Sequence, residues 1–137
     1  MFTFETQIRV RYGETDQMGY FYHGNYALYF EVARAEAMRS LGVTYKIQEE
    51  QLGVMMPVMT LNCRFIRPAR YDDLVTIKNT VRQLPTDFIR FMHEVYSEEG
   101  KLLCGGETKL GFVDKHTGKR VQCPDYLLDK MKPFFGV

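Results

Sequence analysis

Asp16 is the residue whose type and setting best suit chemistry. It lies in Tyr12-Gly13-Glu14-Thr15-Asp16-Gln17-Met18-Gly19-Tyr20-Phe21-Tyr22-His23-Gly24-Asn25-Tyr26, which holds three glycines, an acidic pair and a cluster of aromatic rings. That is loop chemistry. Directly after it the pattern changes. Apolar residues recur at Tyr26, Phe30, Ala33, Ala37 and Leu41, the three-and-four spacing of one helical face. Tyr29, Ala35 and Met38 widen that face, and Glu31, Arg34, Glu36 and Arg39 form the polar remainder. Gly42 is placed for a left-handed stop. The loop therefore delivers a carboxylate to the N-terminus of the longest helix, where unpaired N–H groups favour negative charge. A carboxylate beside such donors, walled by aromatic rings, suits a reaction that develops an oxyanion.

The remaining chain must hold this loop and helix in place. Phe4, Thr6, Ile8, Val10 and Tyr12 alternate with Glu5, Gln7, Arg9 and Arg11, a half-buried strand. Val43 to Gln51 has room for a short second helix, closed by Gly53. From Val54 to Ile66 the period is two, with Met59, Leu61, Cys63 and Phe65 facing one way and Thr60, Asn62 and Arg64 the other. Pro57 belongs at the start or on an edge. Arg67 to Asp73 is a turn, Leu74 to Leu84 a strand, Pro85-Thr86-Asp87 a turn, and Phe88 to Tyr96 a strand. Ser97 to Lys101 is a hairpin signal. Leu102 to Val113 is the next strand, and Gly105, Gly106 and Gly111 within it point to a bulge or a close backbone approach. Asp114 to Lys119 turns the chain and Arg120 to Gln122 is a short strand end. Pro124-Asp125 opens a C-terminal helix that Pro133 ends. One strand, one long helix and about four more strands predict an α+β fold, an antiparallel sheet with a helix on one face. The whole chain, 1–137, reads as one domain.

Composition narrows the function. A formal net charge of +1 gives no pull toward nucleic acid or a membrane surface. No apolar run reaches membrane-spanning length and no signal peptide opens the chain. Cys63, Cys104 and Cys123 are widely spaced, without C-x-x-C or Cys/His zinc spacing, and read as reduced, small buried hydrophobes in a cytoplasmic protein. No metal or redox cofactor is implied.

Tyr12-x-x-Thr15-Asp16-x-x-Gly19-x-x-Tyr22-His23-x-Asn25-Tyr26, followed by Ala33-Arg34-x-Glu36, resembles the signature of the hotdog-fold acyl-CoA thioesterases of the 4-hydroxybenzoyl-CoA thioesterase type. Phe65-x-x-Pro68-Ala69-x-Tyr71-Asp72-Asp73 resembles that family's strand and turn. The resemblance covers most of the chain. It implies a sheet wrapped around the long helix, homodimers or dimers of dimers, and active sites at the subunit interface. Asp16 falls on the family's catalytic carboxylate, as nucleophile or general base. His23 falls where a backbone N–H at the helix start polarises the thioester carbonyl. Gly19, Tyr22, Asn25, Tyr26 and Thr60 are the implied substrate-binding positions, Thr60 contributed from the partner subunit.

Each position has a plainer alternative. Asp16 suits a turn cap, Gly19 an ordinary turn, Asn25 or Gly24 a helix cap, and Thr60 a solvent-facing strand. Glu14 reads as a solvated charge, His93 as structural and His116 as a turn residue. Tyr20, Phe21, Tyr22, Tyr26, Tyr29, Met55, Met56 and Met59 are available to line an aryl or aliphatic pocket. Some family members carry a basic cluster in the hairpin before the aromatic strand; here that place reads Pro85-Thr86-Asp87, so the coenzyme A contact comes from elsewhere, or the phosphates stay largely in solvent, or the carrier is an acyl carrier protein; Arg67 and Arg70 are available to the phosphates, with a charged turn as their plainer reading. Hydrolysis of an acyl-CoA or acyl-carrier thioester is the implied activity. A hotdog dehydratase and a non-catalytic acyl-thioester binding protein are the alternatives. A homodimer is expected also because Phe88, Ile89, Phe91, Met92, Val95 and Tyr96 carry apolar side chains to both faces of one strand.

Overall fold

The computed structural model describes residues 1–137. Strand β1 (Phe2–Arg9) alternates exposed side chains with buried Phe2 and half-buried Phe4, Thr6 and Ile8, as its period requires. The strand was expected to reach Tyr12, but the chain leaves it earlier. Glu14 accepts a hydrogen bond from the Arg11 N–H at 2.8 Å, which folds Tyr12–Glu14 into a 3-10 turn and leaves Tyr12 exposed.

Helix α1 (Tyr26–Ser40) is preceded directly by a 3-10 turn, His23–Asn25, and stops before Gly42 at φ +77°. Tyr26, Tyr29, Phe30, Ala33, Ala37 and Met38 are buried, as the spacing predicts. Arg34 corrects the reading of the polar side: it is buried too, and Nη1 donates to Thr108 Oγ1 at 3.3 Å. A short helix α2 (Tyr45–Ile47) runs into a π-turn, Gln48–Leu52, which Gly53 closes at φ +67°.

Strands β2 (Val54–Met55) and β7 (Val113–Asp114) form a small separate pair. The main sheet is built from β1, β3 (Val58–Phe65), β4 (Leu74–Val81), β5 (Phe88–Tyr96) and β6 (Leu102–Gly111), in the order β1-β4-β5-β6-β3. Every neighbour is antiparallel. This is the wrapped sheet of a hotdog fold. Helix α3 (Asp125–Met131) closes the chain, with Pro133 in the 3-10 turn that follows.

Close approach of α1 to the sheet depends on Gly106 of β6. A Cβ there would lie 2.7 Å from both the Asn62 carbonyl oxygen and the Phe30 ring. The glycine is therefore the space that Phe30 occupies. Two clusters of 12 buried residues each share α1 between them. Phe21, Tyr26, Tyr29, Phe30 and Ala33 belong to the cluster at its N-terminal half, and Ala37 and Met38 join Phe112, Leu127 and Met131 in the other. The outer face of β5 is not the apolar patch expected of it. Lys109 Nζ lies 4.4 Å over the Phe88 ring, and Tyr96 donates to Glu94 at 2.7 Å. No helix is long and apolar enough to cross a membrane.

Beneath α1 runs a buried polar chain. His93 Nδ1 donates to Asn79 Oδ1 at 2.6 Å, and Nε2 accepts from the Thr108 hydroxyl at 2.8 Å. The His93 ring stacks flat on Phe30, with centroids 4.1 Å apart. Burial, aided by the Arg34 charge, pushes the His93 pKa down from 6.5 to about 3. Between those values the unfolded chain binds a proton that the folded chain refuses. Stability is therefore present above about pH 6.5 and falls as the pH drops toward 3, by up to about 1.4 kcal/mol per pH unit. His93→Gln should flatten the fall of the urea midpoint between pH 6.5 and 4; a slope equal to the parent's would refute this.

Candidate active site

The Asp16 loop is a small hairpin. Thr15 bridges Phe21, the Asp16 N–H donates to the Tyr20 carbonyl at 2.8 Å, and Gly19 turns the tip at φ +82°. A side chain at 19 would be strained in that conformation. Asp16 Oδ1 accepts from the N–H groups of Met18 and Tyr20, at 2.9 and 3.1 Å. The turn-cap role thus uses one carboxylate oxygen, and Oδ2 has no protein donor.

Two anchors fix this hairpin. The Phe21 N–H donates to the Ala69 carbonyl at 2.8 Å, and the Phe21 ring packs against Tyr26 and Tyr29. The second anchor is Glu14, and here the sequence reading is corrected. Glu14 is not a solvated charge; its side chain is only 13% exposed. Oε1 accepts from Tyr29 Oη at 2.6 Å, and Oε2 pairs with Arg11 at 2.9 Å. Its carbonyl accepts from the Tyr22 N–H and from Asn25 Nδ2, at 2.8 and 3.1 Å. Asn25 therefore ties the helix start to Glu14, and it makes no cap bond. Burial raises the Glu14 pKa, but the hydrogen bonds from Arg11 and Tyr29 outweigh it and hold the carboxyl below the usual range. Burial and the bond to Glu14 push the Tyr29 phenol up.

The N–H groups of His23 and Gly24 head the turn into α1 and donate to no backbone carbonyl. Gly24 lies under the Tyr22 ring, where a Cβ would come within 2.6 Å of it. The His23 ring rests against Tyr22 and, at 5.8 Å, against Phe65. Asp16, His23, Tyr26, Phe65 and Arg67 share a cavity of about 260 Å³. Phe65 is the wall that the sequence reading missed. The bond from Phe21 to Ala69 brings that turn to the loop, and no local signal reports it.

The other expected residues fall elsewhere. Tyr22 and Asn25 flank the cavity through His23 and Glu14 without lining it. Thr60 pairs with Lys109 on β6, five residues from Phe65 or about 17 Å along the strand, so it does not join Asp16 of its own chain. Met56 packs into the distal core cluster, Met55 pairs with Val113, and Met59 lies exposed on β3. Arg67 donates to the Leu102 carbonyl at 2.8 Å, and Arg70 lies 4.8 Å over the Tyr20 ring. Cys104 and Cys123 are buried free thiols, which burial pushes up to about 12.

The model of the thioesterase-like superfamily matches residues 10–131. The chain belongs to this superfamily. Its thioesterase-like relatives include YneP of Bacillus subtilis, 31% identical over 85% of this chain and 83% of that one. The acyl-CoA thioesterase YbgC of Helicobacter pylori is 28% identical over 85% of this chain and 90% of its own. Among solved structures, a DHNA-CoA thioesterase from Staphylococcus aureus superposes with a TM-score of 0.89 at 34% identity, covering 99% of this chain and 91% of that one.

Glu14→Ala should cost about 2–3 kcal/mol in urea unfolding, because it strands Tyr29 Oη and the Arg11 N–H together. Tyr29→Phe should cost about 1 kcal/mol and add little to Glu14→Ala in the double variant. Full additivity would show that the two side chains do not act as a unit.

Proposed function

We propose that the protein hydrolyses acyl-CoA thioesters to a free acid and a thiol. One observation carries the reading: Asp16, with a carboxylate oxygen that has no protein donor, borders one apolar cavity with His23, whose N–H group, like that of the adjacent Gly24, is unpaired at the start of α1. The membership of the thioesterase-like superfamily agrees with it. The N–H groups of His23 and Gly24 hold the thioester oxygen as it gains charge, and donors so placed contribute on the order of 10²–10³ in rate. As general base, Asp16 takes a proton from water as the oxygen of that water bonds to the carbonyl carbon. Collapse of the adduct breaks the C–S bond, and the thiolate recovers the proton. As nucleophile, the carboxylate itself bonds to the carbon, the thiolate leaves, and water opens the resulting anhydride. Label in Asp16 after a single turnover in ¹⁸O-water would establish the second route, because only an anhydride opened at the Asp16 carbonyl carries a water oxygen into that side chain. A cytoplasmic setting suits this activity and the buried free thiols.

Asp16→Asn is nearly isosteric and should lower kcat about 10³-fold with the fold intact. His23→Ala keeps the N–H and should cost about tenfold or less. Near-parental kcat in Asp16→Asn would sink the assignment, and equal collapse in His23→Ala would make the imidazole a catalytic group.

We infer further that the working unit is a homodimer closed at β3, alone or within a dimer of dimers. Val58, Met59, Leu61, Phe65 and Ile66 are 42–55% exposed on or beside that free edge. A bare apolar edge invites pairing, and a second copy offers the same edge. Thr60 of one chain would then serve the Asp16 cavity of the other. Mixing an Asp16→Asn chain with a Thr60→Trp chain should restore one intact site per mixed dimer. No gain on exchange would refute the sharing, and a monomeric mass in sedimentation would refute the dimer.

A further inference from the structure

Arg34 stands in the segment Ala33-Arg34-x-Glu36, yet the chemistry at Asp16 gives it no task. It is only 5% exposed, and none of the protein's ion pairs includes it. Glu31, nearly one turn earlier on α1, is exposed and forms no ion pair. The single hydrogen bond of the guanidinium runs from Nη1 to Thr108 Oγ1. The other edge, Nε and Nη2, makes none, and Nε is buried. A buried charge without an opposite charge is costly. Two groups of the segment after α1 are unpaired as well. The buried Tyr45 hydroxyl has no partner, and it lies beside Arg34, whose charge opposes the rise that burial gives its pKa. Fully buried Gln48 leaves its amide oxygen unpaired and donates only to Met56 Sδ, a weak acceptor, at 3.2 Å.

Residues 44–52, which carry Tyr45, are held lightly. Gly42 at φ +77° and Gly53 at φ +67° bracket them, and glycine accepts large changes of direction there. Between the two the backbone winds as the π-turn Gln48–Leu52, a form that recurs at functional sites. Their one side-chain hydrogen bond to the rest of the chain is the bond to the Met56 sulfur. We propose that Arg34, with Tyr45, is a receptor for a carboxylate, which enters as residues 44–52 swing about Gly42 and Gly53 and is enclosed on their return. The Nε–Nη2 edge presents two parallel N–H groups, spaced for the two oxygens of a carboxylate. The Tyr45 hydroxyl donates a third bond. The ligand also brings the negative charge that the guanidinium lacks, which a neutral amide of the same shape does not. Its source is a free acid, or the far end of an acyl group that bears a second carboxyl. The site is not the Asp16 cavity, which neither Arg34 nor Tyr45 lines, and binding of a free acid is independent of the hydrolase reading.

The test titrates benzoate, octanoate and adipate, with benzamide as the neutral control, by calorimetry, and follows hydrogen exchange across residues 44–52. At least one acid should bind where benzamide does not, and the bound acid should slow exchange in that segment more than elsewhere. Arg34→Lys keeps the charge but loses the paired N–H edge, and Tyr45→Phe removes only an unpaired hydroxyl, so the fold survives in it. Each should weaken acid binding about tenfold or more. The source is read from adipoyl-CoA and hexanoyl-CoA. A fall in the ratio of their kcat/KM values in both variants gives the site to the acyl terminus, and an unchanged ratio gives it to a free acid. No binding of any acid, or equal binding of benzamide, would overturn the proposal. So would an affinity unchanged in both variants, because the acid would then sit elsewhere, such as the start of α1. Acid binding that appears only in Glu31→Gln would also overturn it, since Glu31 would then be the partner of the free edge.

Discussion

Phe30 occupies the volume that any side chain at residue 106 would need. Close packing leaves few ways to seat a helix on a sheet, and this contact selects one. Once the ring lies over Gly106 and against His93, the height and rotation of α1 are set. The start of the helix then falls beside the Asp16 hairpin. The polar chain through Asn79, His93, Thr108 and Arg34 supports the same seat from below, since a shifted helix would lose the Arg34–Thr108 bond and the stacking of Phe30 on His93.

Placing a helix end is not enough, because a loop of small residues would still sample many positions against it. Glu14 removes that freedom. Its carboxylate holds Arg11 on the strand side and Tyr29 on the helix side, and its carbonyl holds Tyr22 and Asn25. The ionised form suits the partners around it, which is why burial does not win. The carboxylate of Asp16 and the N–H groups of His23 and Gly24 are thus set by a second acid, two residues away, that lies outside the cavity.

Periodicity made much of the framework readable. Strand β5 begins and ends where the aromatic and β-branched run does, and α1 ends where Gly42 is placed to end it. The Asp16 motif pointed to the cavity. Burial that depends on distant partners was not readable. Arg34 looks like any polar helix residue, and only Thr108, 74 residues away, shows that it is inside. Glu14 looks like any loop acid until Tyr29 closes over it. The alternation in β3 was visible, but nothing in it distinguishes an edge strand from a central one, so side chains that face the helix layer proved largely exposed. Phe65 joined the cavity through a turn whose hydrogen bond to Phe21 leaves no local trace.

The division of the core into two clusters along α1 bears on how such a chain can change. The residues that seat the hairpin and the helix start belong to one cluster, and the C-terminal helix packs into the other. A substitution at Leu127 or Met131 taxes overall stability without touching the geometry around Asp16, whereas one at Tyr29 or Phe21 disturbs both. Descendants of this sequence are therefore free to drift, shorten or acquire new attachments at the distal end while the chemical end stays under tight selection.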